Sequence, residues 1–172
     1  SCHSRKTGTD HVFVAIQGAQ EDGRQFIDEA IARGARVVIL EKELPPGRGQ
    51  AVFIQVPDAR QTLAQLACAF YGKPSAQIKV VGVTGTNGKT TITYLLEALL
   101  GEAGFHPSVI GTINYRFGKT VLPSKNTTPG PLELQALLAD MLRAGSKYCL
   151  MEVSSHALHQ ERTKGIDFHS AI

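Results

Sequence analysis

VVGVTGTNGKTTITYLLEALLGEAG, running from Val80 to Gly104, is the stretch whose reading decides the fold. Val80, Val81 and Val83 form a short β-branched run, the signature of a buried strand. Gly85 and Gly88 permit tight turns because no Cβ stands in the way. Lys89 and Thr90 follow, and Ile92, Leu95, Leu96 and Leu99 then recur at helical spacing. A helix N-terminus therefore sits directly behind the glycines. Its free N–H groups and positive dipole end suit a phosphate.

Gly85, Thr86, Asn87, Gly88, Lys89, Thr90 and Thr91 are accordingly the expected ATP-binding residues. Lys89 is placed to reach the terminal phosphates, and the Thr90 hydroxyl to ligate magnesium. The strict pattern G-x-x-x-x-G-K-[ST] asks for a glycine at position 83, where the chain has Val83; the nearest glycines are Gly82 and Gly85. The alternative is a surface turn with a stray Gly-Lys-Thr. Strand, glycines, Lys-Thr and helix in the right order favour the phosphate loop.

The chain has 172 residues, enough for one domain or two small ones, and 42% hydrophobic with 19% charged residues is ordinary for a globular protein. A net charge of +3 without a basic run argues against nucleic acid as a partner. Cys2, Cys68 and Cys149 show no metal or redox spacing, so reduced thiols are expected, with Cys68 and Cys149 in the core. There is no signal peptide and no apolar run long enough to span a bilayer, so the cytoplasm is the expected compartment. The chain opens without an initiator methionine, and the closing DFHSAI (Asp167–Ile172) reads as the start of a strand. A fragment of a longer protein is expected.

Upstream, Val12–Ile16, Val37–Leu40 and Ala51–Val56 read as strands, and Gly23–Gly34 carries helical spacing that ends at a glycine. Asp58 can cap a helix with Leu63, Leu66, Ala67 and Phe70 on its apolar face. Gly72-Lys73-Pro74-Ser75 breaks it, so the domain boundary is expected there, giving 1–74 and 75–172. Downstream, Ser108–Phe117 reads as a strand running into a loop, Gly118-Lys119 as a turn and Ser124–Gly130 as a polar loop. Pro131–Ala144 reads as a helix with Leu134, Leu137, Leu138, Met141 and Leu142 inward, and Tyr148–Val153 as a buried strand. Strands alternating with helices imply an α/β fold with a mostly parallel sheet, whose ligand sites lie at the carboxyl ends of the strands.

Glu152 ends an otherwise apolar strand, where a carboxylate is costly unless it is paired or binds a metal. It is the expected second magnesium ligand beside Thr90, the alternative being a carboxylate hydrogen-bonded to nearby backbone. Ser154 and Ser155 beside His156 raise nucleophilic catalysis, but no third orienting group is identifiable and G-x-S-x-G is absent. Polar ligand contacts are the better reading. Asn126, Thr127 and Thr128 read alone as a turn before Pro129. Gln160 and Arg162 read equally as solvated side chains, and Arg162 is also a candidate partner for a carboxylate or phosphate. Ser4-Arg5-Lys6 reads either as a phosphate contact or as a basic terminus. His3, His11, His106, His159 and His169 have no mutual ligand spacing.

Together these blocks resemble the Mur ligases of peptidoglycan synthesis. TGTNGKTT (Thr84–Thr91) is similar to their phosphate loop, which is shorter than the strict form and is shared with folylpolyglutamate and cyanophycin synthetases. FYGKPS (Phe70–Ser75), GTINY (Gly111–Tyr115), NTTPGPLELQ (Asn126–Gln135) and MEVSSHALHQER (Met151–Arg162) resemble the branch that adds the third residue of the stem peptide. The resemblance covers essentially the whole chain.

It implies an ATP-dependent amide ligase joining a diamino acid, meso-diaminopimelate or L-lysine, to UDP-N-acetylmuramoyl-L-alanyl-D-glutamate. The implied parts are a domain for the uridine nucleotide end and the first half of an ATP-binding domain. By the family's pattern Lys89 and Glu152 are catalytic, and Thr90 and Glu152 hold Mg2+. Asn126, Thr127, Thr128, Ser154, Gln160 and Arg162 contact the muramoyl dipeptide, and Ser4 lies in the uridine-diphosphate site. The family's carbamylated lysine, second magnesium histidine and amino-acid recognition motif fall outside this sequence. The chain departs from the family at His3, at Asp10-His11 and at Ala19. Another ligase of the superfamily and a non-catalytic nucleotide-binding fragment are the alternatives. A monomer without nucleic-acid or membrane partners is expected.

Overall fold

The computed structural model describes residues 3–4, 7–18, 21–42 and 51–172. Readings that fell on Cys2, Arg5, Lys6 and Ala19 lie outside the described residues. The chain divides into two compact units, Ser1–Leu63 and Ala64–Ile172.

In the first unit three parallel strands, β1 (His11–Val14), β2 (Ala35–Leu40) and β3 (Val52–Gln55), lie in the order β1-β2-β3. Side chains alternate between the faces of a sheet, and both faces here are apolar. Phe13, Val38 and Leu40 pack with Ile27 and Ala30 of helix α1 (Ile27–Ala32) on one side. Val14 and Ile39 pack with Ala59 and Leu63 of helix α2 (Ala59–Phe70) on the other. Burial on both faces explains why VVIL reads as a continuous apolar run rather than an alternating one. The helix expected over Gly23–Gly34 begins with a 3₁₀ turn, Gly23–Phe26, and Asp22 accepts a hydrogen bond from the Arg24 N–H.

Asp58 caps α2 as expected, accepting from the Gln61 N–H at 2.8 Å. The apolar face of this helix is narrower than its spacing predicts. Leu63 and Ala67 are buried, whereas Leu66 is 43% and Phe70 81% exposed. Ala59 and Ala64 complete the buried stripe, so small residues carry the contact, and Phe70 in the last turn packs edge-on against Tyr71 instead. Cys68, expected in the core, is only partly buried. The division between units falls within α2, and the helix ends at Gly72 and Lys73, both with positive φ.

The second unit holds six strands in the order β7-β6-β5-β8-β4-β9. β5 (Ser108–Ile110), β8 (Tyr148–Glu152), β4 (Lys79–Val83) and β9 (Phe168–Ala171) are parallel. β6 (Asn114–Phe117) and β7 (Thr120–Pro123) form an antiparallel hairpin extending the sheet beyond β5. This hairpin is where the sequence reading falls short. Ser108–Phe117 is two antiparallel strands bent at Gly111–Ile113, and β7 is exposed along its whole length, so it carries no burial pattern to read.

Helix α4 (Pro131–Arg143) lays Leu134, Leu137, Leu138 and Met141 against Val80, Ile110, Tyr115, Cys149 and Met151 of the sheet, with Leu142 packed at the edge. Helix α3 (Lys89–Glu102) lies against β4 and β8 and buries Thr93, whose hydroxyl donates to the Lys89 carbonyl. Its apolar residues Ile92, Leu95 and Leu99 remain exposed. Among the described residues no helix is long and apolar enough to cross a membrane.

Burial pushes the Cys149 thiol up to about 12, and a thiol is inert while it stays protonated. Alkylation at mildly alkaline pH followed by peptide mass spectrometry will find Cys149 unmodified in the folded chain and modified once denaturant is added.

Candidate active site

The site begins with strand register. Val83 of β4 and Glu152 of β8 are paired, and Ile110 of β5 is paired with Met151, so the three strands end side by side. Met151 and Val153 face the α4 core. By alternation Glu152 faces the opposite side, where α3 begins.

Glu152 is 2% exposed. Its Oε2 accepts from the Thr90 hydroxyl at 2.9 Å and from the Thr112 hydroxyl at 2.8 Å. Its Oε1 accepts the Thr112 backbone N–H at 3.1 Å. The alternative reading of this residue, a carboxylate hydrogen-bonded to nearby backbone, describes its Oε1, and the Thr90 hydroxyl lies on its Oε2. Gly111 lies so close that a Cβ there would stand 2.4 Å from Oε1. The glycine is what admits the carboxylate.

The loop after β4 takes the form its residues allow. Gly85 (φ +138°) and Gly88 (φ +81°) adopt conformations that L side chains rarely occupy. Gly88 is the residue before α3, so the first helical N–H groups, those of Lys89, Thr90 and Thr91, face the loop. The Lys89 ammonium donates to the Gly85 carbonyl at 2.7 Å, arching over the loop it follows. Residues 86–91, Thr112, Thr127, Glu152 and Ser154 line one cavity of about 300 Å³.

The segment Asn126–Thr128 meets this cavity through Thr127; Asn126 and Thr128 do not line it. The Thr127 hydroxyl lies 3.0 Å from the Thr112 hydroxyl. Thr128 is buried; its hydroxyl donates to the Glu152 carbonyl at 2.9 Å and accepts the Ser154 N–H at 3.1 Å. Thr128 thus staples the loop to the end of β8. Tyr115 fixes the next residue along, its hydroxyl donating to the Asn126 carbonyl at 2.6 Å.

Arg162 donates to the Thr128 carbonyl at 3.0 Å and grips the Gln160 side-chain oxygen with two N–H groups. The far end of Gln160 pairs with His156. Ser154 caps helix α5 (Ser155–His159), accepting from the Ala157 N–H. The serine hydroxyl serves the helix and the His156 ring pairs with Gln160, which leaves no nucleophile–base pair in this stretch.

The structure brings Thr86–Thr91, Thr127, Glu152 and Ser154 to one cavity and links Thr128, Gln160 and Arg162 to its wall. Ser4 belongs to the first unit, where it is buried and donates to Glu29 at 2.7 Å. Thr112 is the residue that sequence reasoning missed. Its one signal was its place after Gly111 at a strand exit, inside the GTINY block.

Among the described residues no three His, Cys, Asp or Glu side chains cluster around a possible metal. One carboxylate and one hydroxyl make a poor all-protein cage. They suit Mg2+, which is commonly held by one or two carboxylates and takes its remaining ligands from phosphates and water.

A parallel strand, a glycine loop, a helix N-terminus with Lys-Thr and an acidic residue at the next strand's end define an α/β protein of the phosphate-loop class. Residues 83–172 match the Mur ligase middle domain, and residues 1–71 match the Mur ligase family catalytic domain. The chain belongs to the Mur ligase family. It is 46% identical over 171 residues to UDP-N-acetylmuramoyl-L-alanyl-D-glutamate–2,6-diaminopimelate ligase of Geobacter sulfurreducens, covering 99% of this chain and 33% of that one. It is 42% identical to the enzyme of the same name from Clostridium tetani, over 98% of this chain and 35% of that one.

A solved structure of a ligase of that name superposes with a TM-score of 0.85 at 34% identity, over 99% of this chain and 34% of the other. MurF ligase from Thermotoga maritima, solved in complex with ADP, matches with a TM-score of 0.59 at 31% identity, over 90% of this chain and 31% of the other. The chain thus spans about a third of the length of the curated relatives it matches.

Replacing Gly111 by Ala forces the Glu152 carboxylate off its donors. Leaving such a group poorly partnered costs about 1–3 kcal/mol, equivalent to a fall of several degrees in melting temperature for a domain of this size. Circular dichroism melts of Gly111→Ala against the parent chain check this.

Proposed function

We propose that this chain forms the uridine-nucleotide domain and the first half of the ATP-binding domain of a ligase that joins meso-diaminopimelate to UDP-N-acetylmuramoyl-L-alanyl-D-glutamate. The observation that carries the reading is a cavity in which the phosphate loop faces Thr127 across Glu152. Two anions, a triphosphate and a carboxylate, have to meet in such an enzyme, and one cavity with a loop on each side offers the place. The choice of diaminopimelate over L-lysine rests on the relatives, whose names specify it.

In this reading the N–H groups behind Gly88 and the Lys89 ammonium bind the phosphates of ATP and offset the repulsion between the anions. Lys89 leaves the Gly85 carbonyl to do so. Thr90 and Glu152 hold Mg2+, which supplies charge neutralisation and orientation of the phosphates when bound. Asn126, Thr127 and Ser154 orient the D-Glu end of the substrate. Arg162 and Gln160 act with Thr128 to keep that segment in place, and Ser4 serves the uridine-diphosphate end.

The γ-phosphoryl group passes to the D-Glu γ-carboxylate to give an acyl phosphate and ADP. The amine of the diamino acid then attacks the acyl carbon, the new C–N bond replaces the C–O bond, and inorganic phosphate leaves. A monomer acting in the cytoplasm, without nucleic-acid or membrane partners, completes the reading.

Calorimetric titration with UDP-N-acetylmuramoyl-L-alanyl-D-glutamate tests the substrate side, with UDP-N-acetylmuramoyl-L-alanine and a folate as controls. Saturable binding that requires the D-Glu residue is expected. Equal binding of both nucleotides, or preference for the folate, would overturn the assignment. On the nucleotide side, Lys89→Ala will weaken ATP binding by at least tenfold, because a charge-assisted contact to phosphate is worth roughly 1.5–3 kcal/mol. Undiminished ATP affinity in that variant would count against the phosphate-loop role.

A further inference from the structure

Thr112 sits in the bend between β5 and β6 with its side chain exposed, so it contributes nothing to the apolar core. It nevertheless contacts both oxygens of Glu152, its N–H on Oε1 at 3.1 Å and its hydroxyl on Oε2 at 2.8 Å. A two-point contact fixes the tilt of a carboxylate as well as its position. Thr90 touches only Oε2 and comes from α3, the element expected to turn its hydroxyl oxygen toward a metal. With Thr90 so engaged, the two donors of Thr112 still hold the carboxylate.

The Thr112 hydroxyl has a single proton, and Glu152 takes it. The neighbouring Thr127 hydroxyl, 3.0 Å away, must therefore donate to Thr112. The direction of the chain is thus Thr127 to Thr112 to Glu152. Gly111, with no room for a side chain, closes the carboxylate in from the same bend.

We infer that Thr112 is the positioning residue for the magnesium carboxylate: it aims Glu152 at the metal–nucleotide and ties it to the Thr127 loop that faces the second substrate. The inference rests on the nucleotide-binding reading above and adds a residue to it. Outer contacts that orient a metal ligand commonly change metal affinity by 10–100-fold when removed.

The test is calorimetric titration of the chain with ADP in excess magnesium and again in EDTA, for the parent, Thr112→Val and Thr112→Ser. The quantity read is the ratio of the two affinities, which isolates the metal's contribution from that of the loop. Thr112→Val keeps the N–H and the shape but loses the hydroxyl. Its ratio is expected to fall about tenfold, with Thr112→Ser restoring it. Melting curves accompany each titration and establish that each variant is folded at the temperature of measurement. A Thr112→Val ratio equal to the parent's overturns the role of Thr112 alone. A loss in Thr112→Ser as large as in Thr112→Val also overturns it, because the hydroxyl would then not be the active group. A parent chain that binds ADP equally with and without magnesium overturns the metal reading itself, and this inference with it.

Discussion

A carboxylate at the end of an apolar strand, 2% exposed, is the constraint on which the second unit is built. An ionised group removed from water costs several kcal/mol unless its lone pairs are met. Glu152 is met by two hydroxyls and one backbone N–H, and hydrogen bonds to a charged group contribute about 1.5–3 kcal/mol each. Those donors come from two directions. Thr90 requires α3 to start beside the end of β8, and Thr112 requires β5 to turn directly above it. The order β5-β8-β4 satisfies both, because β8 lies between the strand that feeds the glycine loop and the strand that ends at Gly111. The register of β8 against both neighbours, and the missing side chain at position 111, follow from the same demand.

Threonine recurs around this carboxylate with a different duty each time. Thr90 opens a helix, Thr112 forks onto both oxygens, Thr127 stands at the cavity wall and Thr128 is sealed beneath it. A hydroxyl both donates and accepts on a short, stiff side chain, so it can link neighbouring groups without adding charge. The Asn126–Thr128 segment is held at three points, by Tyr115, by the end of β8 and by Arg162. A loop held this firmly has its orientation before any ligand arrives, which is how a site lowers the entropic cost of positioning.

The two faces of the sheet divide the work. The α4 face is close-packed and apolar, with Leu134, Leu138, Met141, Cys149 and Met151 all essentially inaccessible. The α3 face buries Thr93 and Glu152 and opens into the cavity. Alternation along β8 makes this possible: Cys149, Met151 and Val153 anchor the strand on one side, so Glu152 can be delivered on the other with little freedom to move.

Much of this was legible in the sequence because it depends on local pattern. The valines of β4, the left-handed glycines at 85 and 88, the leucines of α4 and the Asp58 cap each act through neighbours a few residues away, and each was found where the pattern put it. Glu152 was legible too, since a carboxylate closing YCLM is anomalous on composition alone. Tertiary structure decided what depends on partners far along the chain. Thr90 and Glu152 are 62 residues apart, and Thr112 and Glu152 are 40 apart. No spacing rule joins them; only strand order and register do. The exposure of Leu66 and Phe70, the antiparallel β6–β7 hairpin and the internal engagement of Thr128 are of the same kind. Sequence sets what a residue offers chemically and which backbone it prefers, whereas the group it meets is set by the folding of the whole sheet.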